Sequence, residues 1–183
     1  QRQMCIRDRV VSIAAGKTTE FIEKLLGFKA PVIRIMPNIN ATVLEAMSAY
    51  CCSESVTDDQ KEFVNKLCSS FGKVMPLSES YFPLFCSIAG CAPAYAYMFI
   101  DSLARSAVKN GMNKSVALEI AAQTVLGSAK KILESDEHPW ELIDKVCSPG
   151  GTTIEGVVSL QKDGFESAVC NAVDAALQKD KKV

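Results

Sequence analysis

Cys147-Ser148-Pro149-Gly150-Gly151-Thr152-Thr153-Ile154-Glu155-Gly156-Val157-Val158-Ser159-Leu160-Gln161-Lys162-Asp163-Gly164 is the stretch from which the second half of the chain can be read. Pro149 pushes the residue before it out of the α region, so a preceding helix stops at Ser148. Gly150 and Gly151 allow a tight turn and the close approach of a neighbour. Ile154, Val157 and Val158 then take up the spacing of a helix with one buried face. Thr152 and Thr153 therefore fall on a first helical turn, where backbone N–H groups have no partner within the helix. A loop of small residues opening a helix holds a small anion through those N–H groups and the positive end of the dipole. Two hydroxyls beside the anion can reach a polar atom of the same ligand. An ordinary Ser/Thr-capped helix start looks the same, and on this stretch alone it is the commoner case.

Working outward, everything from about Glu79 onward reads as helix. Tyr81 to Asn110 is largely helical, with an interruption expected around Gly90 to Pro93. Within it, Ala92 to Ile100 is apolar nearly all round, as in a helix covered on both faces. Ser115 is expected to cap a long helix with Leu118, Ala121, Ala122, Val125, Leu126, Ala129, Ile132 and Leu133 on one face. His138-Pro139 starts a short helix through Val146, and Glu166 to Lys182 forms the last one, fraying into charge. This is more apolar helical surface than a monomer of this size needs, and a helical dimer covers it most simply.

The residues before Glu79 alternate between strand and helix patterns, the mark of an α/β sheet. Val10 to Ala14 is a short apolar strand. Thr18 or Thr19 caps a helix through Phe21, Ile22, Leu25 and Leu26 that Gly27 stops. Pro31 to Met36 is a second strand, ended by Pro37-Asn38, and Ala46 to Cys52 a third. Thr57 caps the helix carrying Phe63, Val64, Leu67 and Phe71, and Lys73 to Leu77 gives a fourth strand. No G-x-G-x-x-G follows any of these strands, so the usual opening of a dinucleotide-binding domain is not among them. The fold class expected is an α/β remnant of a Rossmann-type sheet, residues 10–78, followed by an all-α helical domain, residues 79–183. Residues 1–9, with three Arg and no strand or helix period, read as a non-native leader.

Composition narrows the function classes. With 183 residues and 48% hydrophobic side chains, the chain has the makings of a packed core. Its net charge is −1 and it carries no basic stripe before the Lys-rich end, which argues against a nucleic-acid or anionic-membrane partner. No uninterrupted apolar run reaches the roughly 18 residues that span a bilayer. Eight cysteines without CxxC spacing point to a reducing, cytoplasmic compartment. A single histidine, His138, and cysteines without ligand spacing leave no basis for a metal site.

Few residues could carry chemistry. His138 before Pro139 is better placed to cap a helix than to catalyse, and Asp136, Glu137, Glu141 and Asp144 read as a solvated helix-end cluster. Glu79 follows a strand end, where site residues of α/β proteins collect, although a surface carboxylate is the default. Asn38, ending a strand at a sheet edge, either faces a ligand or makes a turn. No Ser-His-Asp or Cys-His pair supports nucleophilic catalysis.

Ser12-Ile13-Ala14-Ala15-Gly16, Ile33 to Asn38, Ala89-Gly90-Cys91-Ala92-Pro93-Ala94-Tyr95, Ala122 to Gly127 and Ser148-Pro149-Gly150-Gly151-Thr152-Thr153-Ile154 occur in one order. That series resembles the pyrroline-5-carboxylate reductase family, from Val10 to the C-terminus. The family's chain begins with a full Rossmann βαβ unit that this sequence lacks, and its usual Ser-Gly-Ser-Gly-Pro-Ala is Ala89 to Ala94 here, with two hydroxyls lost. The resemblance implies reduction of 1-pyrroline-5-carboxylate to L-proline by NADPH or NADH, in a homodimer or higher homo-oligomer. It implies that the Thr153 hydroxyl hydrogen-bonds the ring nitrogen as the catalytic group, and that Gly151, Thr152 and Thr153 hold the substrate carboxylate. It places Glu79 near the substrate, and Ile13, Ala14, Ala15, Met36, Pro37 and Asn38 along the nicotinamide half of the cofactor. Two rival readings are a catalytically inactive helical dimerisation fragment and a β-hydroxyacid-type dehydrogenase. The latter would want a lysine on the long helix, where only Lys109 stands, at the far end.

Overall fold

The computed structural model describes residues 9–180. The leader read in residues 1–9 lies outside these, except for Arg9. Four strands form one sheet in the order β1 (Val10–Ser12), β2 (Val32–Met36), β3 (Ala46–Cys52), β4 (Gly72–Pro76). β1 and β2 run parallel because α1 (Thr19–Leu26) carries the chain back between them. β3 and β4 are parallel for the same reason, with α2 (Asp58–Ser69) as the crossover. Between β2 and β3 there is room only for a 3₁₀ turn, Ile39–Val43, so that pair is antiparallel and the sheet is mixed.

The core under this sheet follows from the strand periods. Ile33, Ile35 and Tyr50 share one face and pack on Val56, Val64 and Cys68 from α2 and its approach. α2 opens with a capping box in which Thr57 accepts from the Gln60 N–H and Gln60 accepts from the Thr57 N–H. Gly72 is required where β4 begins. Its φ is +150°, and a Cβ there would lie 2.2 Å from the Ala46 carbonyl oxygen.

From Glu79 the chain stays helical to Lys109. A 3₁₀ turn, Glu79–Tyr81, leads into α3 (Phe82–Phe85), a π segment (Cys86–Gly90) and α4 (Ala92–Lys109). The interruption expected at Gly90 to Pro93 is therefore a local change of helix pitch. Pro93 has no N–H to give the Ala89 carbonyl, and the ladder shifts to the π pattern, with the Cys91 N–H on the Cys86 oxygen at 3.0 Å. One uninterrupted helix also changes the membrane arithmetic. By length and composition alone, Glu79–Lys109 is apolar enough to cross a bilayer, with a mean hydropathy of 1.4 in its most apolar window, only 11% of it buried.

The chain divides into two compact units. One comprises the residues through Pro93 together with those from Val173 onward, and the other is Ala94–Ala172. In the second unit α4 is followed by α5 (Lys114–Leu133), α6 (Pro139–Val146), α7 (Thr152–Lys162) and α8 (Phe165–Asp180). α5 is capped by Asn113, whose Oδ1 accepts from the Ser115 N–H. Ser115, expected as the cap, donates its hydroxyl to the same oxygen. Phe99 of α4 meets Phe165 of α8 at 5.9 Å between ring centres, and the Tyr95 hydroxyl donates to the Ala172 carbonyl. Its buried hydrophobic residues are all alanines: Ala104, Ala117 and Ala121. Ala92 to Ile100, read as a helix covered on both faces, is not covered within the chain: Met98 is 72% exposed and Tyr97 57%. Ile120, Leu126, Ile132 and Leu133 of α5 are exposed as well.

Candidate functional site

Glu79 sits at the centre of a polar cluster in the sheet unit. Its Oε1 accepts from the Thr19 backbone N–H at 2.9 Å and from the Arg34 guanidinium at 3.0 Å, and its Oε2 accepts from the Thr19 hydroxyl at 2.9 Å. Arg34 is buried in the middle of β2, with its guanidinium 4.5 Å from the centre of the Phe82 ring. Burial pushes the Glu79 carboxyl up. The Thr19 N–H, the Arg34 guanidinium and the Thr19 hydroxyl outweigh it and hold the group below its ordinary range. Cys51, cross-strand from Arg34, is pushed up to about 12 by burial, by the Glu79 charge and by a hydrogen bond to that carboxylate. A cleft of about 550 Å³ opens beside the cluster, lined by Tyr50, Cys51, Cys52, Lys61, Ser78 and Glu79 among others.

Arg34 and Cys51 were not singled out from the sequence, and Thr19 was read there only as a possible helix cap. Arg34 carried a usable signal, as a lone charge inside Val32-Ile33-Arg34-Ile35-Met36. A charge at the centre of a buried strand must find a partner. The identity of that partner, 45 residues away, has no local signature.

The second group of expected residues lies at the carboxyl edge of the parallel pair. Ile13, Ala14 and Ala15 follow β1 and are exposed, Ile13 by 73%. Met36 ends β2, and Pro37 and Asn38 follow it. The β1–β2 register sets the two runs side by side at that edge, where open α/β sheets bind ligands. The Asn38 side chain is engaged within the protein. Its Nδ2 donates to the Ala89 carbonyl at 3.0 Å, the oxygen to which Pro93 has no N–H to give, and its Oδ1 accepts from the Met47 N–H. Asn38 thus ties the sheet edge to the π segment.

The third group opens α7 in the helical unit. Gly150 has φ +67°, a left-handed turn that favours glycine, and the Gly151 N–H closes the turn on the Ser148 carbonyl at 2.9 Å. Gly151 is the N-cap and has no side chain to cap with. A Cβ there would lie 2.4 Å from the Ser148 hydroxyl oxygen. Among the described residues nothing bonds the Thr152 or Thr153 hydroxyl, or accepts from their N–H groups, and both residues are exposed. The first turn of an 11-residue helix therefore presents free donors and two hydroxyls.

His138 does cap α6. Its Nδ1 accepts from the Trp140 N–H, and Glu141 returns the bond to the His138 N–H. In the acidic cluster beside it, Glu137 pairs with Lys145.

Comparison with known proteins adds the context these groups lack. Residues 79–183 match the family model described as pyrroline-5-carboxylate reductase dimerisation. The chain is 41% identical over 174 residues to pyrroline-5-carboxylate reductase of Escherichia coli, an alignment covering 95% of this chain and 65% of that protein. It is 39% identical to the Aquifex aeolicus enzyme of the same name, over 66% of its length. The chain thus spans about two thirds of the length of the curated relatives it matches. Among solved structures, 1-pyrroline-5-carboxylate reductase from Streptococcus pyogenes superposes with a TM-score of 0.89 at 40% identity, covering 96% of this chain and 68% of that one. A Plasmodium falciparum pyrroline carboxylate reductase with NADP bound gives 0.87 at 35% identity, covering 94% and 69%. A family model covering more than half of the chain and relatives matched over nearly all of it agree with the order of the sequence blocks: this chain belongs to the pyrroline-5-carboxylate reductase family.

Proposed function

We propose that the chain serves the NAD(P)H-dependent reduction of 1-pyrroline-5-carboxylate to L-proline. The observation that carries this reading is the start of α7, where Gly151 caps without a side chain and Thr152 and Thr153 keep free N–H groups and hydroxyls. The substrate is a small carboxylate next to a ring nitrogen, and the turn offers one set of donors for each. The N–H groups of Thr152 and Thr153 hold the carboxylate at the positive end of the helix, with Gly151 leaving room for its approach. The Thr153 hydroxyl hydrogen-bonds the ring nitrogen and stabilises its charge as the C=N bond is reduced. The nicotinamide cofactor supplies the hydride when bound. Ile13, Ala14, Ala15, Met36 and Pro37 form a small, mostly apolar edge suited to the flat nicotinamide half. Asn38 shapes that edge through Ala89 and Met47. Glu79 acts on the substrate side by holding position, since each of its oxygens already accepts from Thr19 or Arg34.

The same proposal takes residues 10–78 as the cofactor side and 79–183 as the dimerisation and substrate side, the latter being the span of the family match. Exposed apolar faces on α4 and α5 suit a second copy of the chain, giving a homodimer or a higher homo-oligomer in the cytoplasm. A β-hydroxyacid-type dehydrogenase finds no support from the relatives.

Calorimetry with L-proline and with pyrrolidine, its decarboxylated analogue, tests the anion site. Charge-assisted hydrogen bonds and the helix dipole together are worth about 1.4 kcal/mol or more, so pyrrolidine should bind at least tenfold more weakly. Equal affinities would remove the carboxylate from Gly151 to Thr153 and the reading with it.

A further inference from the structure

Two cysteines that no part of the reductase reading uses face each other across the π segment. In an α-helix, residues five apart point in different directions. The wider π turn brings them back to one side. Cys86 and Cys91 are the first residue of that turn and the one just after it, joined through the backbone by the 3.0 Å bond from the Cys91 N–H to the Cys86 oxygen. That bond holds the two residues one π turn apart, and a disulfide tolerates Cα separations of ~4.4–6.8 Å. The Cys91 thiol is close enough to Cys86 to contribute to raising its pKa. Gly90 leaves room beside the Cys86 sulfur, from which a Cβ on it would lie 3.3 Å. Both cysteines are half-buried and free, and the turn reaches solvent through Ile88 and Gly90.

We propose that Cys86 and Cys91 form a reversible dithiol/disulfide pair, an oxidative modification site within the π turn. The co-reactant is a peroxide or a small-molecule disulfide. With hydrogen peroxide, the Cys91 sulfur attacks the O–O bond and is oxidised to a sulfenic acid, and the other oxygen leaves as water. The Cys86 thiol then attacks the Cys91 sulfur, the S–O bond breaks as the S–S bond forms, and its proton leaves with the hydroxide as a second water. Burial, the Asp180 charge and the contact with Cys91 push the Cys86 thiol up. A disulfide closing so short a loop is strained, and such pairs are readily reduced again.

Trypsin provides a direct test, because cleavage after Lys73 and Arg105 yields one peptide, Val74 to Arg105, carrying Cys86 and Cys91 as its only cysteines. The folded protein is treated with a small molar excess of hydrogen peroxide, quenched, denatured and alkylated with iodoacetamide. The expected peptide carries no alkyl group and is lighter by two hydrogens, and dithiothreitol restores two alkylation sites. Cys86→Ser and Cys91→Ser should each abolish that species. The proposal is overturned if both cysteines of the wild-type peptide remain alkylatable, if Cys91 proceeds to sulfinic acid, or if the protected state survives in Cys86→Ser.

Discussion

The chain opens two helices with a Thr-Thr pair and uses the pairs in opposite ways. At α1, Thr18 is the N-cap and accepts from the Phe21 N–H at 3.1 Å. Thr19 gives both its N–H and its hydroxyl to Glu79. At α7 the N-cap is Gly151, so each threonine stands one position deeper in the helix and neither hydroxyl has a protein partner among the described residues. One residue of register, with a carboxylate beside one pair and none beside the other, separates a structural clamp from an available donor set.

Removing the carboxylate from the α1 pair should produce the largest change. Glu79→Ala leaves Arg34 buried in β2 without a counter-charge and strips Thr19 of its acceptor. Breaking a buried pair from one side costs several kcal/mol, and Glu79 is itself only partly buried, so about 3 kcal/mol of unfolding free energy is expected. A urea titration that finds Glu79→Ala within 1 kcal/mol (~fivefold in the folding equilibrium) of wild type would show that Arg34 has another partner.

At the α7 pair the loss should fall on activity instead. In the enzyme carrying this chain, Thr153→Ala removes the hydroxyl proposed to meet the ring nitrogen and should lower kcat/KM by roughly 10²-fold or more, with the melting temperature unchanged. Thr153→Ser should keep much of the rate. Near wild-type kinetics for Thr153→Ala would reduce this pair to an ordinary helix start.

This contrast was only half legible in the sequence. The Gly-Gly-Thr-Thr turn could be read because each of its signals is local: Pro149 as a stop, the glycines as a turn and Ile154 to Val158 as a helical period. The caps at Thr57 and His138 are local for the same reason. The Glu79 cluster was not legible, because its members come from α1, β2, β3 and the start of the helical run, and no spacing rule links them. The interruption before Pro93 was legible from a local rule, but its π form and the Asn38 side chain that takes up the Ala89 carbonyl from a distant strand end were not. The antiparallel β2–β3 pair became readable only once the link between them was known to hold no crossover helix.

Lowering the pH probes the α1 clamp more gently. The Glu79 carboxyl is held below its ordinary range in the folded chain, so its contribution to stability is complete above the unfolded value, about 4.3, and is lost as the pH falls through the folded one. Stability should therefore decline on acidification, and Glu79→Gln should remove the part of that decline due to this group. Parallel wild-type and Glu79→Gln curves of urea midpoint against pH between neutral and acid would place the titration elsewhere.

The smallest effects isolate the register difference itself. Thr18→Ala removes a side-chain cap from α1 and should cost about 1 kcal/mol, the usual worth of such a bond. Thr152→Ala, the matching first threonine at α7, removes no cap, because the N-cap there is Gly151 and the hydroxyl bonds nothing among the described residues. Alanine is also a better helix former than threonine inside a first turn, so Thr152→Ala should be neutral or slightly stabilising. Thermal melts of the two variants side by side read this directly. Equal destabilisation would mean that Thr152 caps α7 after all, and the argument that its neighbour is left free for a ligand would lose its footing.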